Sequence, residues 1–213
     1  MPAANALEKE MEFLAAVEGG EVVSQQTLSR RVGVSVGLVN ALLKRAIRKG
    51  YVKTTSAPAK RWAYYLTPNG AYQKGRLVAE YLESSLDFFR HARGELEVIF
   101  ARAKLRGQTR IILAGSGDLA EIAVLAAHGS GVDLIGLLAP HSNLESQQGL
   151  RVLQSLDDLG EFDLVVITEM RTPQQTYDDL RLHIRGEIIA APALLRITTE
   201  PCKFFQMAGA GKA

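Results

Sequence analysis

The residues of this 213-residue chain that most clearly indicate chemistry are basic side chains without acidic neighbours. Between Glu21 and Glu80 the sequence contains eleven lysines and arginines and no aspartate or glutamate. The segment therefore contributes +11 to a whole-chain net charge of +2, so the remainder of the chain carries −9. Because segregated cations create a positive field, this pattern predicts a surface that binds a polyanion.

A glycine-rich turn in the C-terminal half is the second candidate for ligand chemistry. Residues 115–120 read Gly-Ser-Gly-Asp-Leu-Ala and follow an apolar run. This pattern is typical of a phosphate-binding turn between a strand and a helix, since glycines let the backbone approach a phosphate at the helix N-terminus. The predicted ligand-binding residues are Gly115, Ser116, Gly117, Asp118 and Leu119, together with Glu169 after a later strand.

Two departures from the phosphate-binding pattern leave an alternative open. The second strand is followed by Leu-Ala-Pro-His at 138–141, without an acid to bind a ribose hydroxyl. Asp118 also places a carboxylate at the helix N-terminus, where it competes with a bound anion. Ordinary NAD binding is therefore disfavoured. A nucleotide or nucleotide-sugar effector and an empty structural turn both remain open, and no cofactor is assigned.

Catalytic and metal-binding arrangements are not evident in the sequence. The four histidines lack metal-ligand spacing, and Cys202 has no histidine near it in sequence. Asp157 and Asp158 are typical of a charged helix face rather than of a catalytic pair. His141 follows the second strand, where a solvated loop histidine is the simpler interpretation. We therefore expect a protein that is not an enzyme and that holds no metal.

Composition favours a cytoplasmic protein of one large or two small domains. The single cysteine cannot form an internal disulfide, which fits a reducing compartment. No apolar run approaches the ~18 residues of a membrane span. The N-terminus also lacks the basic and apolar regions of a secretory signal.

The elements that carry the basic residues have the pattern of a winged helix-turn-helix. Apolar spacing predicts a first helix that ends at Gly19–Gly20, a short helix over 25–31 and a third helix over about 36–49. Two strands follow, at 51–55 and 61–66, and enclose a basic tip. A helix of this kind fits the major groove, while flanking cations hold phosphates.

Turn chemistry supports this assignment of elements. Ser24 and Ser35 are the predicted N-caps of the second and third helices. Gly33 lies between these helices and is free to take a positive φ. The outward face of the third helix presents polar, small and basic residues: Gly37, Asn40, Ala41, Lys44, Arg45 and Arg48.

The basic segment resembles the MarR-type winged helix, above all a bacterial subgroup associated with exopolysaccharide gene clusters. The matching residues are Leu28-x4-Gly33-Val34-Ser35-x3-Val39, Lys44-Arg45-Ala46-x3-Gly50-Tyr51-Val52 and Tyr65-Leu66-Thr67-Pro68-x-Gly70. The resemblance covers roughly residues 7–106 and implies a DNA-binding transcription regulator. It places Ser35, Gly37, Asn40, Lys44 and Arg45 on the recognition helix and Lys53, Lys60 and Arg61 on the wing. Arg30, Arg31 and Arg48 complete the predicted DNA-binding set by their charge.

A long helix from Thr67–Pro68 to about Arg106 follows the wing. Its apolar residues recur at heptad spacing: Val78, Leu82, Ser85, Phe89, Ala92, Leu96, Ile99 and Ala103. This seam predicts a homodimer through the helix, and two-fold symmetry would match a palindromic operator on double-stranded DNA. The alternative is that the helix packs on the chain's own domains.

Beyond the long helix, strands and helices alternate. Continuous apolar strands are predicted at 110–114, 132–138, 151–153 and 163–168, with the last two at 187–191 and 194–198. Helices are predicted at 119–127 and 173–183. Such alternation predicts an α/β fold with a parallel, doubly wound, Rossmann-like sheet. The predicted domains are a winged helix-turn-helix (1–67), a long linker helix (68–107), a Rossmann-like effector domain (108–200) and a tail (201–213).

The C-terminal half is similar to Rossmann-like domains of sugar-modifying and polysaccharide proteins, on Gly149–Leu159 and Phe162–Thr168. The architecture also resembles that of Rex-type repressors, which join a winged helix to an NADH-sensing Rossmann domain. The first resemblance implies a nucleotide or nucleotide-sugar effector. Three alternatives to an effector-sensing regulator remain: a Rex-like redox repressor, an enzyme or binding module whose winged helix docks proteins, and a DNA-binding protein whose C-terminal domain only oligomerises.

Overall fold

The computed structural model describes residues 2–18, 24–57, 61–140, 142, 145–158 and 160–199. The chain divides into two compact units, residues 1–88 and 89–213. The predicted fold class is confirmed: helices and a two-stranded wing at the N-terminus, one long helix, and a mainly parallel sheet at the C-terminus.

The N-terminal unit has the predicted order of elements. Its helices are α1 (Pro2–Glu18), α2 (Gln25–Val32) and α3 (Val36–Arg48), followed by strands β1 (Val52–Ala57) and β2 (Arg61–Leu66). The two strands pair antiparallel. The predicted end of α1 at Gly19–Gly20 lies outside the described residues.

Apolar side chains from every element of this unit form one core. The buried members are Phe13, Leu14, Val17, Leu28, Val32, Val39, Leu43, Ala46, Val52, Tyr64 and Leu77. Val39, Leu43 and Ala46 form the buried stripe of α3, whereas Leu42 is only partly buried. Because the buried side of α3 faces this core, its opposite side is turned to solvent.

The fourth helix, α4 (Pro68–Leu105), begins where the wing ends. The Thr67 hydroxyl accepts a hydrogen bond from the Gly70 amide at 3.0 Å and donates one to the Gly50 carbonyl at 2.7 Å. A Cβ at position 70 would overlap the Tyr51 carbonyl oxygen. The Thr-Pro-x-Gly pattern therefore caps α4 and lets its first turn lie directly against the start of β1.

The two units share α4, and this corrects part of the predicted dimer seam. Ala92, Leu96 and Ala103, from the second half of the seam, are at most 2% exposed within the single chain. In the first half, Leu82 is 53% exposed. These three seam positions are covered within the single chain, as the alternative interpretation held, whereas the seam at Leu82 is open to solvent.

The C-terminal unit is a six-stranded sheet with two helices. Its strands are β3 (Arg110–Ala114), β4 (Asp133–Leu138), β5 (Ser146–Gln147), β6 (Leu150–Leu153), β7 (Leu164–Ile167) and β8 (Ile189–Ala190). Helix α5 (Asp118–Ala127) joins β3 to β4, and α6 (Pro173–His183) follows β7. The spatial order is β5-β6-β4-β3-β7-β8, and among the described strands of this sheet only β5 is antiparallel.

This order reverses direction at one place, between β3 and β7. From β3 the chain moves outward through β4 to β6, and it then returns to place β7 on the other side of β3. Such a reversal is the topological switch point at which open parallel sheets bind ligands, beyond the carboxyl ends of the strands. Buried side chains of β3 and β7, including Ile112, Ala114 and Ile167, pack with Tyr177 and Leu180 of α6.

The last predicted strands are the clearest error of the sequence analysis. The strand expected at 187–191 shrinks to Ile189–Ala190, and the strand expected at 194–198 is absent from the described residues. Arg196 takes a left-handed φ of 51°, which interrupts an extended chain. The backbone of Thr198 is instead bonded to the Gln174 side chain, which accepts from its amide at 2.8 Å and donates to its carbonyl at 3.1 Å.

A short hairpin was not predicted. Strands β5 and β6 pair antiparallel across Gln148 and Gly149, which have φ values of 53° and 76°. Two consecutive positive φ angles are typical of a type I′ hairpin turn. The hairpin adds the antiparallel edge to an otherwise parallel sheet.

Candidate nucleic-acid interface and ligand pocket

Two serine caps define where the helices of the N-terminal unit begin. The Ser24 hydroxyl oxygen accepts a hydrogen bond from the Thr27 amide at 3.1 Å, and Ser35 does the same for the Leu38 amide at 3.3 Å. Each cap satisfies an amide that has no partner inside its helix. Both predicted caps are confirmed. Ser35, also predicted as a DNA contact, is exposed at the start of α3.

The turn between α2 and α3 is held by local bonds. Gly33 has a φ of 64°, the left-handed conformation that was predicted for it. The Ser29 hydroxyl donates to the Val34 carbonyl at 2.5 Å. These contacts fix the direction in which α3 leaves the turn, and therefore fix the face that α3 presents to solvent.

That exposed face of α3 carries most of the predicted recognition residues. Gly37, Lys44 and Arg48 are exposed, and Asn40 is half-buried. In the part of the chain that the structure describes, Lys44 and Arg48 have no ion-pair partner. A Cβ added to Gly37 would meet only the Ser35 hydroxyl, at 4.0 Å, so the fold itself does not require glycine there.

Arg45 differs from its neighbours on α3. Its guanidinium lies 3.3 Å from the carboxylate of Glu10 on α1, whose side chain is 17% exposed. This ion pair links α3 to α1 and draws the charge of Arg45 toward the protein. The observed contact of Arg45 is with Glu10, and its predicted contact with DNA stays a prediction.

The structure describes only some of the remaining predicted DNA-binding residues. Arg30 and Arg31 are exposed at the end of α2, and Lys53 is exposed on β1. Lys60, at the tip of the wing, lies outside the described residues, and for Arg61 only the backbone in β2 is described. The structure therefore brings cations of α2, α3 and β1 to the surface of one unit.

Two further cations of the acid-free segment have partners within the protein. The Lys49 ammonium lies 5.6 Å from the centroid of the Tyr51 ring. Lys74 forms an ion pair with Glu18 that links α4 to α1. Not every charge in the segment is therefore equally available to an external polyanion.

The family comparison agrees with this geometry. The matching family model is described as winged helix-turn-helix DNA-binding, and it covers residues 17–53, from the end of α1 to the start of β1. Residues 17–53 are thus similar to the winged helix-turn-helix DNA-binding family, in the part of the chain that contains α2, the turn and α3. This family model covers less than half of the chain, and it assigns no family to the C-terminal unit. No curated protein matches the sequence.

Three solved structures show partial likeness. The first is MepR, a transcription regulator of the Staphylococcus aureus multidrug efflux pump MepA, with 15% identity over 38% of this chain and 61% of that chain and a TM-score of 0.33. The second is human N-acetylserotonin methyltransferase in complex with SAM, with 14% identity over 78% of this chain and 64% of that chain and a TM-score of 0.30. The third is PigF with SAH, with 16% identity over 89% of this chain and 54% of that chain and a TM-score of 0.22. This chain spans less than two thirds of each of them. At these TM-scores none assigns an activity to it.

In the C-terminal unit, the first glycine of the predicted phosphate turn serves a backbone contact. Gly115 has a φ of 114°, and a Cβ there would overlap the backbone of Glu169. The Thr168 and Glu169 amides both donate to the Ala114 carbonyl, at 2.7 and 3.0 Å. The Thr168 hydroxyl donates to the Gly115 carbonyl at 2.6 Å. The loop after β7 is thus bonded onto the end of β3 at the switch point.

The rest of the turn has an open backbone and acidic side chains. Gly117, with a φ of 122°, precedes α5, and a Cβ there would meet no atom within 4 Å. The first turn of α5 contains Asp118 and Glu121. Ser116 and Asp118 are exposed, whereas Leu119 is buried. A phosphate bound here would face two carboxylates.

A cavity of about 530 Å³ lies beyond the carboxyl ends of β4, β6 and β7, beside α6. Its apolar side consists of Leu138, Pro140, Leu156 and Leu180. Its polar side consists of Gln154, Ser155, Glu169, Thr172, Gln175, Thr176, Asp179 and His183. Of the six predicted ligand-binding residues, only Glu169 lines the cavity. Gly115, Ser116, Gly117, Asp118 and Leu119 do not.

Sequence analysis missed the residues that α6 contributes to this cavity. Thr172, Thr176, Asp179 and His183 are spaced i, i+4, i+7 and i+11, which places them on one face of the helix. That polar stripe was visible in the sequence, but it was not connected to a ligand site. The missing information was the position of α6 beside the ends of three strands.

Among the described residues, no group of three or more His, Cys, Asp or Glu could hold a metal ion. His141 and Cys202 lie outside the described residues. No helix in the described part of the chain is both long and apolar enough to cross a membrane.

Proposed function

We propose that this protein is a bacterial transcription regulator that reads double-stranded DNA with α3 and the β1–β2 wing. The observation that carries the proposal is the exposed face of α3. A serine-capped helix presents Asn40 beside Lys44 and Arg48, whose charges are not neutralised by described acids of the protein. Cations of this kind hold phosphates, while an amide side chain reads a base edge.

The binding unit on DNA is a homodimer. Leu82 and Leu86 on the first half of α4 are 53% and 51% exposed. Apolar side chains that recur along a helix are typical of pairing between helices. A dimer would place two copies of α3 on two half-sites of a palindrome. On the face of α4 that carries the heptad seam, the surface available for this contact ends near Ala92, which is buried.

The C-terminal unit is an effector domain rather than an enzyme. Its sheet has the switch-point order of ligand-binding α/β domains, and a cavity lies at the carboxyl ends of its strands. A nucleotide or nucleotide sugar at Gly115–Leu119 stays a prediction. The exopolysaccharide resemblance suggests polysaccharide or cell-envelope genes as targets, and DNA binding requires a cytoplasmic location.

The test is selection of DNA fragments from the source genome by the purified full chain, followed by footprinting. The proposal expects a protected site with two-fold symmetry, near the protein's own gene or a polysaccharide cluster. Affinity should fall as salt rises, since cations released from phosphates oppose binding. Failure to enrich any fragment at low salt, with protein that is folded and dimeric, would refute DNA regulation.

A further inference from the structure

We infer that the cavity beside α6 binds a small molecule with an apolar body and a positively charged amine. The cavity volume of about 530 Å³ falls in the range of small-molecule sites, ~300–1,000 Å³. It is separate from the glycine-rich turn, whose five predicted ligand residues do not line it. The chemistry of the lining therefore has to be considered by itself.

The apolar side of the cavity accommodates a hydrophobic body. Leu138, at the end of β4, is 8% exposed, and Leu180 on α6 is 4% exposed. Both belong to the core of this unit, so packing holds them in place. Leu156 is partly buried against the same core. A ring or chain lying on these residues would lose contact with water, which favours binding.

The polar side of the cavity is negative. Glu169 and Asp179 contribute two carboxylates, and no lysine or arginine occurs among the lining residues that the structure describes. His183 is the only lining residue that can carry a positive charge. Two carboxylates repel a phosphate or carboxylate and attract an ammonium group. Phosphate-bearing nucleotides are therefore disfavoured here.

One of these carboxylates is held in place before any ligand arrives. An oxygen of the Glu169 side chain accepts a hydrogen bond from the Arg171 amide at 2.7 Å. The Glu169 amide is itself bonded to the Ala114 carbonyl of β3. A carboxylate fixed in this way binds a cation at a lower entropic cost than a mobile one. An ammonium group at Glu169 would thus contact the loop that closes the switch point.

Use of this cavity as an effector site depends on the proposed regulatory function, but binding of an amine does not. The experiment is accordingly made without DNA, on the full chain. Two probe series keep the same ring and change the terminal group from ammonium to hydroxyl to carboxylate: tryptamine, tryptophol and indole-3-acetate, and 1-naphthylmethylamine, 1-naphthylmethanol and 1-naphthoate. Binding is followed by NMR of methyl-labelled leucines, which reports Leu138, Leu156 and Leu180 directly.

The inference predicts that at least one amine shifts these methyl signals and binds about tenfold or more tightly than its matched carboxylate, with the alcohol between them. The variant Glu169→Gln with Asp179→Asn should abolish the difference between amine and carboxylate. The control variant Asp178→Asn with Glu187→Gln removes two carboxylates outside the cavity and should preserve it.

Three outcomes would overturn the inference: equal binding of amine and alcohol, preference for the carboxylate, or no probe that shifts the cavity leucines. Unchanged thermal unfolding of both variants shows that the cavity is intact in them. A failure of DNA regulation would leave the amine preference unaffected, so the two proposals fail separately.

Discussion

Helices α3 and α5 both begin at N-termini whose backbone favours anions, but they lie in opposite electrostatic surroundings. The first turn of α3 contains no acid, and Lys44 and Arg48 follow on its exposed side. The first turn of α5 contains Asp118 and Glu121. A helix dipole contributes ~0.3–1 kcal/mol to binding of an anion at a surface. Two nearby carboxylates offset a contribution of that size. The charge of the neighbouring side chains therefore favours phosphate binding at the start of α3 over the start of α5.

The same contrast extends to the glycines. Gly37 on α3 has open space where a side chain would be, whereas Gly115 before α5 is pressed against the backbone of Glu169. Open space at an exposed helix start permits close approach of an external molecule. A glycine pressed against its own chain serves the fold instead. We therefore expect mutations in the two regions to have different readouts, DNA affinity for the first and stability for the second.

The largest expected effect is on DNA affinity. Replacing Lys44→Glu together with Arg48→Glu should weaken binding roughly 100- to 1,000-fold at low salt, because two phosphate contacts become repulsive. Fluorescence anisotropy with a selected DNA fragment measures this loss. Arg106→Glu with Arg151→Glu, two exposed positions in the C-terminal unit, is the matched control. An equal loss in the control would assign the effect to net charge alone.

The next effect concerns stability of the sheet. Gly115→Ala should destabilise the C-terminal unit by about 3 kcal/mol, since a left-handed φ is combined with a steric overlap at Glu169. Gly117→Ala has a similar φ but open space, so we expect only about 1–2 kcal/mol. Hydrogen exchange of peptides from β3 and β7 measures both. Equal costs at the two positions would contradict the structural role of Gly115.

A smaller effect is expected for sequence reading. Asn40→Ala should lower affinity for the selected site about tenfold while leaving non-specific affinity nearly unchanged, because an amide on a base edge contributes discrimination of ~1–3 kcal/mol. Competition between the selected site and random DNA measures the ratio. A uniform loss on both DNAs would instead make Asn40 a backbone contact.

The smallest effect is expected at Arg45. Because this side chain pairs with Glu10, Arg45→Ala should reduce DNA affinity less than threefold. Stability should fall by no more than about 1 kcal/mol, since the Arg45 side chain of this pair is half exposed. Glu10→Gln releases Arg45 and should leave DNA affinity unchanged or slightly increased. A loss at Arg45 as large as at Lys44 would restore its predicted role as a DNA contact.

Local patterns in the sequence were sufficient to predict most of the fold. The serine caps, the Thr-Pro start of α4 and the apolar runs of β3, β4 and β7 each specify structure through neighbouring residues. The errors occurred where the structure depends on contacts between residues that are distant in sequence. The strand expected at 194–198 is replaced by side-chain bonds from Gln174, and Ala92, Leu96 and Ala103 of the heptad seam are buried within the single chain. Neither the Gln174 bonds nor the burial of the seam is encoded in the spacing of nearby residues.

The candidate sites divide in the same way. The face of α3 could be predicted because helical spacing alone determines which residues share it. The ion pair between Arg45 and Glu10 could not, since it depends on how α1 crosses α3. The cavity beside α6 combines residues from three strand ends and one helix. Because these residues are far apart in sequence, the ligand site was predicted at the glycine-rich turn, and Asp179 and His183 were missed.

The proposed function requires that α3 binds DNA through Lys44 and Arg48, which have no ion-pair partner among the described residues. The most direct measurement is the salt dependence of affinity for wild type and for Lys44→Ala with Arg48→Ala. A log–log slope of about −0.9 per phosphate contact is expected, so the double variant should reduce the magnitude of the slope by about 2. An unchanged slope, with the variant still folded, would contradict the claim.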